Sequence, residues 1–329
     1  MNKLTCAVVG CGGIAHVHSG ALTRQETAQL AAFADIRLER AQAFAQEFGG
    51  KAYGSLEELL DQEALDVLHI CTPHYLHVPM AQEAARRGIH VFTEKPPAMT
   101  RAQWEAFQQI KGVRLGVCFQ NRYNPSVAYV RQLFDSGRPG AVLGARAFVT
   151  WHRDAPYYTE SGWRGALSTE GGGVLINQSI HTLDLMVQFL GQGQVLGASL
   201  ANRHLQGIIE VEDTLEAAID FGGKTGLFYA TTAHCTDSPV LLELTCENAT
   251  LRLEGEEVTV RWKDGSIERQ DFSQASHLGG KTYWGASHGR CIEDFYRCVL
   301  SGGAFRNDIS GVADTVELML RLYETARAS

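Results

Sequence analysis

The chain reads as an α/β protein. A doubly wound parallel sheet comes first, followed by an α+β domain with an open, mostly antiparallel sheet. Three observations predict this. Up to about Gln120, short apolar runs alternate with helical stretches through short connections, the pattern of a parallel sheet with helices on both faces. Beyond Gln120, apolar residues recur with period two, as in strands with one buried face. The 329 residues are too many for one small domain and comfortable for two. We expect residues 1–120 to form one domain and residues 121–329 the other, with the last helix packing back on the first.

The elements follow in order. Leu4 to Val9 is a buried-strand run, and Gln29 to Ala34 is a second strand ending in Asp35. Leu38 to Phe48 reads as a helix stopped by Gly49-Gly50, and Leu56 to Leu60 as a short helix. Val67 to Ile70 is a strand, Tyr75 to Arg87 a helix ended by Gly88, and Ile89 to Phe92 a strand. A helix from Arg101 to Ile110 and a strand from Val113 to Cys118 complete the alternation. The second domain opens with a helix near Ser126–Ser136 and a strand from Val142 to Trp151. Its period-two faces include Leu215, Ala217, Ile219 and Phe221, then Leu242, Leu244 and Cys246, then Val258, Val260 and Trp262. Two amphipathic helices close the chain, one carrying Ile292, Phe295, Tyr296 and Val299, the other Val312, Val316, Met319, Leu320 and Tyr323.

Composition excludes several classes. A hydrophobic fraction of 45% and a charged fraction of 20% are those of a soluble globular protein. A net charge of −8 argues against a general nucleic-acid binder and against an anionic membrane surface. There is no long uninterrupted apolar run, and Met1-Asn2-Lys3-Leu4 shows no signal-peptide pattern. The eight cysteines are scattered and form no CxxC, so we expect reduced, mostly structural thiols in a cytoplasmic protein.

The first chemical signal is Gly10-Cys11-Gly12-Gly13-Ile14-Ala15, directly after the first strand and opening a helix. In a G-x-G-x-x-A turn the first glycine permits the tight bend and the second lets backbone approach a pyrophosphate. The small final residue allows close packing, and the helix N-terminus faces the anion. Asp35 lies where the motif expects an acceptor for a ribose hydroxyl. These features predict a dinucleotide site, with Asp35 favouring NAD over NADP, while Arg37 beside it keeps NADP open. The second signal is Glu94-Lys95-Pro96 at the end of a strand, where ligands of parallel sheets bind. A lysine there can take part in proton transfer, and Pro96 forces it extended. Cys71-Thr72-Pro73, His77 and Gln120 are expected to border the same cofactor.

The third signal lies in the second domain. Gly171-Gly172-Gly173 precedes an apolar helix on which Asn177, His181 and Asp184 fall at i, i+4 and i+7, on one stripe. The loop from Trp151 to Gly165 is rich in Trp, Tyr and Arg and reads as ligand-lining. Arg122 and Tyr123 are further candidate substrate contacts, with Lys95, Trp163, Asn177 and His181. The alternative is a core histidine bonded to Asp184.

Taken together, these motifs resemble the glucose–fructose oxidoreductase / inositol dehydrogenase (Gfo/Idh/MocA) family over nearly the whole chain. Glu94-Lys95-Pro96 is similar to that family's signature tripeptide. The resemblance implies a Rossmann domain binding NAD, with Glu94 at the nicotinamide ribose, Lys95 in proton transfer and a cis Lys95–Pro96 bond. It implies His181 beside the substrate, with Trp163 and Arg164 near cofactor and substrate. It also implies hydride transfer to or from a secondary alcohol of a sugar, nucleotide-sugar or cyclitol-like compound, with Lys95, His181 and Asn177 as the catalytic set and no metal. Many members carry aspartate where this chain has Asn177, which argues against an aspartate-assisted mechanism and against inositol. Two rivals are an enzyme that keeps its NAD and oxidises a sugar only transiently, and a silent NAD-binding sensor. Sheet faces carrying Phe221, Leu227 and Trp262 suggest a homo-oligomer, a dimer or tetramer.

Overall fold

The computed structural model describes residues 3–276 and 287–328. It divides into two compact units, one running to Gln120 and taking in Ser287–Val312, the other holding the remainder.

The first unit is built on β1 (Leu4–Val9), α1 (Gly13–Thr23), β2 (Ala28–Ala34), α2 (Leu38–Phe48), β3 (Lys51–Tyr53) and α3 (Leu56–Gln62). It continues with β4 (Val67–Ile70), α4 (His77–Arg86), β5 (His90–Thr93), α5 (Arg101–Gln108) and β6 (Leu115–Val117). The strands lie in the order β3-β2-β1-β4-β5-β6, every pair parallel. Such a sheet is covered on both faces, so its central strands are buried throughout: Cys6 to Val9 and Val67 to Ile70 are all buried, and His69 is the one polar residue among them. Two helix starts carry side-chain caps: Ser55 accepts from the Glu58 amide and Thr100 from the Gln103 amide. Strand order reverses between β1 and β4, and at such a switch point the strand ends leave a ligand crevice.

The second unit holds α6 (Pro125–Asp135), β7 (Val142–Thr150), α7 (Ala155–Thr159), a π-helical turn (Val174–Ser179) and α8 (Ile180–Leu190). Seven strands follow: β8 (Gln194–Ala201), β9 (Thr214–Asp220), β10 (Thr225–Thr231), β11 (Leu241–Cys246), β12 (Ala249–Glu254), β13 (Glu257–Trp262) and β14 (Ile267–Asp271). The eight-stranded order is β14-β13-β12-β11-β7-β10-β9-β8, antiparallel except for β7 with β10. One face buries Leu215, Phe228, Leu244 and Val260. The π-helical turn packs on β9 and β10, and α8 packs on β7.

Two helices end the chain, α9 (His288–Ser301) and α10 (Ile309–Ala328). Helix α9 belongs to the first unit. Its stripe of Cys291, Ile292, Phe295 and Tyr296 is fully buried, and the Phe295 ring lies 5.2 Å from that of Phe92 on β5. Gly116 on β6 leaves room for it, because an added Cβ would meet the Phe295 ring at 2.6 Å. From Ala313 onward α10 belongs to the second unit, where Thr315 donates to Asp184 and Tyr323 to Glu212. Among the described residues no helix is long and apolar enough to cross a membrane. All eight cysteines are free thiols, and only Cys235 is exposed.

Candidate active site

In the first unit the glycine turn links β1 to α1. Gly10 has φ +86, and an added Cβ would meet the Cys71 carbonyl oxygen at 2.7 Å and Thr72 Cγ2 at 2.8 Å, so only glycine fits. At Gly12 and Gly13 a Cβ would meet nothing within 4 Å, leaving open space above the turn. Helix α1 begins there with Gly12 as its N-cap and no side-chain acceptor for its first amides. Uncapped amides at a helix start suit an anion. Ala15 is buried and Ile14 half-buried. Asp35, half-buried at the end of β2, is anchored by the amides of Cys11 and Arg37, each donating at 2.8 Å to a different oxygen. Each oxygen keeps acceptor capacity for a ribose hydroxyl. The open glycine turn, the uncapped helix and the anchored acid fit a dinucleotide. Arg37 is exposed beside them.

Cys71, Thr72 and Pro73 follow β4, and Glu94-Lys95-Pro96 follows β5, with a cis Lys95–Pro96 bond. His77 was expected to touch the cofactor, but its ring is buried and its two nitrogens face the carbonyls of Pro96 at 2.7 Å and Thr72 at 2.9 Å. It ties two strand ends together instead. Burial lowers its pKa, while the two carbonyls pull it the other way. Within the tripeptide only Lys95 is not buried. Gln120 is buried, its amide oxygen accepting the Cys118 thiol at 3.8 Å.

Glu94 stands at the head of a buried chain of polar groups. His18 Nε2 lies 2.8 Å from Glu94 Oε1, His18 Nδ1 3.0 Å from His69 Nδ1, and His69 Nε2 3.0 Å from the Tyr296 hydroxyl. Two protonation patterns satisfy all three contacts: His18 doubly protonated with His69 neutral and its proton on Nε2, or both rings neutral with His18 protonated on Nε2, His69 on Nδ1 and the Tyr296 hydroxyl donating. The electrostatics favour the first. Burial would lower His18, but Cys71, Cys118 and Glu94 outweigh it and raise it. Burial and the His18 charge both lower His69. Burial would raise the Glu94 carboxyl, but His18, His288 and Lys95 hold it well below the usual range. The other Glu94 oxygen accepts the Lys95 amide at 3.2 Å. His18, Glu94 and Cys118 also bring N, O and S donors within 4.8 Å of one another. Burial raises the Cys118 thiol, so a metal bound here would have to displace its proton.

In the second unit, every residue from Gly172 to Val187 is buried except Asn177 and His181. These two alone reach outward from an apolar segment. The third member of the expected stripe does not. Asp184 is fully buried, accepting Arg122 Nε at 2.8 Å, Arg122 Nη2 at 2.5 Å and Thr315 Oγ1 at 2.7 Å. Its contacts place it on the core side, although it stands only about 60° from His181 round the helix. Arg122, expected at the substrate, is therefore a buried counter-ion, and Asp184 is not the partner of His181. Tyr123 is half-buried beside it.

The aromatic loop is well braced. The Arg164 guanidinium lies 4.6 Å from the Tyr157 ring and 4.7 Å from the Trp163 ring, while Ser161 Oγ accepts the amides of Trp163 at 3.3 Å and Arg164 at 2.8 Å. Two buried acids that the motif reading missed organise this region. Glu170 accepts the Gly165 amide and Asn177 Nδ2, each at 2.5 Å. Glu212 accepts the amides of Gly173 at 2.9 Å and Leu175 at 3.1 Å, and the Tyr323 hydroxyl at 2.8 Å. Their signal in the sequence was slight: Glu170 stands directly before the glycine run, and Glu212 directly after the apolar Val211.

Comparison with known proteins agrees with this geometry. Residues 4–119 match the model for an oxidoreductase family with an NAD-binding Rossmann fold, and residues 127–252 match the GFO/IDH/MocA C-terminal domain. A D-glucoside 3-dehydrogenase of Escherichia coli is 33% identical over 58% of this chain and 55% of its own length. The chain thus spans little more than half of that relative. A levoglucosan dehydrogenase of Pseudarthrobacter phenanthrenivorans is 25% identical over 82% of this chain and 80% of its own. Among solved structures, the WlbA dehydrogenase of Bordetella pertussis, in complex with NADH and UDP-GlcNAcA, superposes with a TM-score of 0.84 at 27% identity, covering 99% of this chain and 97% of that one.

Proposed function

Because the chain belongs to the GFO/IDH/MocA oxidoreductase family, we propose that it is an NAD-dependent oxidoreductase moving a hydride between nicotinamide and a carbon that bears a secondary hydroxyl on a sugar-like substrate. The observation that carries this reading is the strand-end cluster of the first unit. There the glycine turn is open, the helix start is uncapped, Asp35 is anchored, and Lys95 is the one accessible member of Glu94-Lys95-Pro96.

NAD supplies the hydride acceptor. Lys95 handles the proton of the substrate hydroxyl. Glu94, kept ionised by His18, accepts from the nicotinamide ribose. In the second unit Asn177 orients the hydroxyl, His181 shares the proton handling, and Trp163, Arg164 and Tyr123 line the ligand. Arg122 is withdrawn from this set. Relatives named for a glucoside and for levoglucosan, and a neighbour holding a UDP-linked sugar acid, support a pyranose as the class to test. We further infer a homo-oligomer, a dimer or tetramer.

The test is a screen of methyl glucoside, glucose 6-phosphate, levoglucosan and UDP-N-acetylglucosaminuronate with NAD and with NADP, read by NADH or NADPH formation and by titrating both cofactors. Reduction of NAD by at least one sugar, with NAD bound more tightly because Asp35 repels a 2′-phosphate, is the expected result. Tighter NADP binding would make Arg37 a phosphate ligand. Sugar turnover without net reduction would point to a retained cofactor.

A further inference from the structure

The side-chain amide of Asn177 has two ends, and its neighbour decides which one faces inward. Nδ2 donates to Glu170 Oε1 at 2.5 Å, while Glu170 Oε2 takes the Gly165 amide at 2.5 Å. A carboxylate only accepts, so each of its oxygens needs a donor. We propose that Glu170 is a positioning residue that holds Asn177 nitrogen-inward, so that Oδ1 is the end offered to a substrate hydroxyl, and that it fixes this amide to the Trp163-Arg164-Gly165 loop. The amide's direction rests on the Asn177–Glu170 contact with Glu170 ionised, and its use rests on the reading of Asn177 as the hydroxyl-orienting residue.

The same contact favours asparagine over aspartate at position 177. A second carboxylate here would lie within hydrogen-bond distance of a fully buried one, and two such acids cannot both ionise. Burial already pushes the Glu170 carboxyl up to about 7, against the Gly165 amide, Asn177 and Arg164, with Glu212 adding to the rise. Tyr158 and Tyr323 also feel its charge.

Exchanging the two groups should therefore rescue what each single change breaks. In Glu170→Gln one acceptor and one donor must serve two donors. If the Gly165 bond is kept, Asn177 has to flip and offer Nδ2 outward. In Asn177→Asp two acids compete for one proton. In the double variant the new amide accepts from Gly165 and donates to the new carboxylate, which again offers an oxygen outward.

The experiment uses wild type, Glu170→Gln, Asn177→Asp and the double variant. The Asn177 side-chain signal is followed by NMR on protein carrying 15N-labelled asparagine, and thermal midpoints and kinetics are measured with the best sugar of the screen. The Asn177 signal should move with pH near neutrality in wild type and stand still in Glu170→Gln. Each single variant should lose on the order of ten- to a hundredfold in kcat/KM, the worth of a charged hydrogen bond, with most of it recovered in the double. If Asn177→Asp fails to fold while the double variant folds, that too demonstrates the coupling. A wild-type signal indifferent to pH, or a double variant no better than the sum of the singles in thermal midpoint, overturns the proposal. Coupled midpoints with unchanged kinetics would keep the clamp and overturn the catalytic reading of Asn177.

Discussion

Lys95 and His181 owe their candidacy to exposure as much as to chemistry: each is a half-buried residue in an otherwise buried segment. Lys95→Met should cut turnover by on the order of 100- to 10,000-fold, the usual worth of a placed acid–base group. NAD binding should survive, because the glycine turn and Asp35 are untouched, and NADH fluorescence titration checks this. His181→Ala should lower turnover while leaving stability nearly unchanged, since Asp184 keeps Arg122 and Thr315 as partners. Glu170 gives a pH prediction of definite sign. Its carboxyl is raised from 4.5 to about 7 in the fold, chiefly by burial. The unfolded chain therefore releases this proton first. The stability it confers is complete below about 4.5 and is lost as pH rises through about 7. The loss is on the order of 3 kcal/mol. Urea unfolding at about pH 5 and about pH 8 should show that decline in wild type and a flatter profile in Glu170→Gln. Such buried pairings were invisible in the sequence because their partners lie far apart along the chain. Arg122 and Asp184 are 62 residues apart, His18 and Glu94 76. No local spacing announces either pair, so Arg122 read as a ligand and His18 was passed over.

Among the elements, the glycine turn gives the sharpest contrast. Gly10→Ala would drive a Cβ to 2.7 Å from the Cys71 carbonyl oxygen at a φ of +86, so it should destabilise the first unit outright. Gly12→Ala meets nothing within 4 Å and should melt like wild type. Its methyl would instead occupy the space above the turn, weakening NADH binding. Thermal melting beside NADH titration separates the two effects, and a Gly12→Ala protein that binds NADH normally would remove that turn from the cofactor site. The elements of the first unit were legible because strand, glycine turn and helix are local signals: α2 spans Leu38–Phe48 and β4 spans Val67–Ile70, as read. The segment around Asn177 was not. Periodicity proposes a regular α-helix there, whereas Val174–Ser179 widens into a π-turn held by Glu212, whose ligands Gly173 and Leu175 lie 39 and 37 residues away. Gly173 is essential to that turn, because any Cβ would fall 1.8 Å from the Glu212 carbonyl oxygen. The two outward residues, Asn177 and His181, were found from their spacing; the core direction of Asp184 required the fold.

At the scale of the whole molecule, the eight-stranded sheet exposes large apolar side chains on one face. The interface residues expected from sequence need correction first. Phe221 is 1% exposed and belongs to the core, and Trp262 is half-covered, with the Arg138 guanidinium 4.3 Å from its ring. Leu227 does face outward, at 52% exposure, and it has company. Phe148 on β7, 36% exposed, pairs in register with Tyr229 on β10 and Leu241 on β11. An apolar band thus crosses the three adjacent strands β11, β7 and β10, and the next rung carries the Arg146–Glu243 ion pair at 2.8 Å. A patch of this kind, apolar in the middle and charged at its border, marks a protein interface, and a second copy of the same sheet can cover it about a two-fold axis. We therefore expect a dimer, or a tetramer built from dimers, in light scattering at micromolar concentration. Leu227→Glu combined with Phe148→Glu should yield a folded monomer, since both side chains face outward and two like charges would be buried together in the interface. A wild-type protein that scatters as a monomer would refute the assembly, and a double variant that remains a dimer would move the interface off this face.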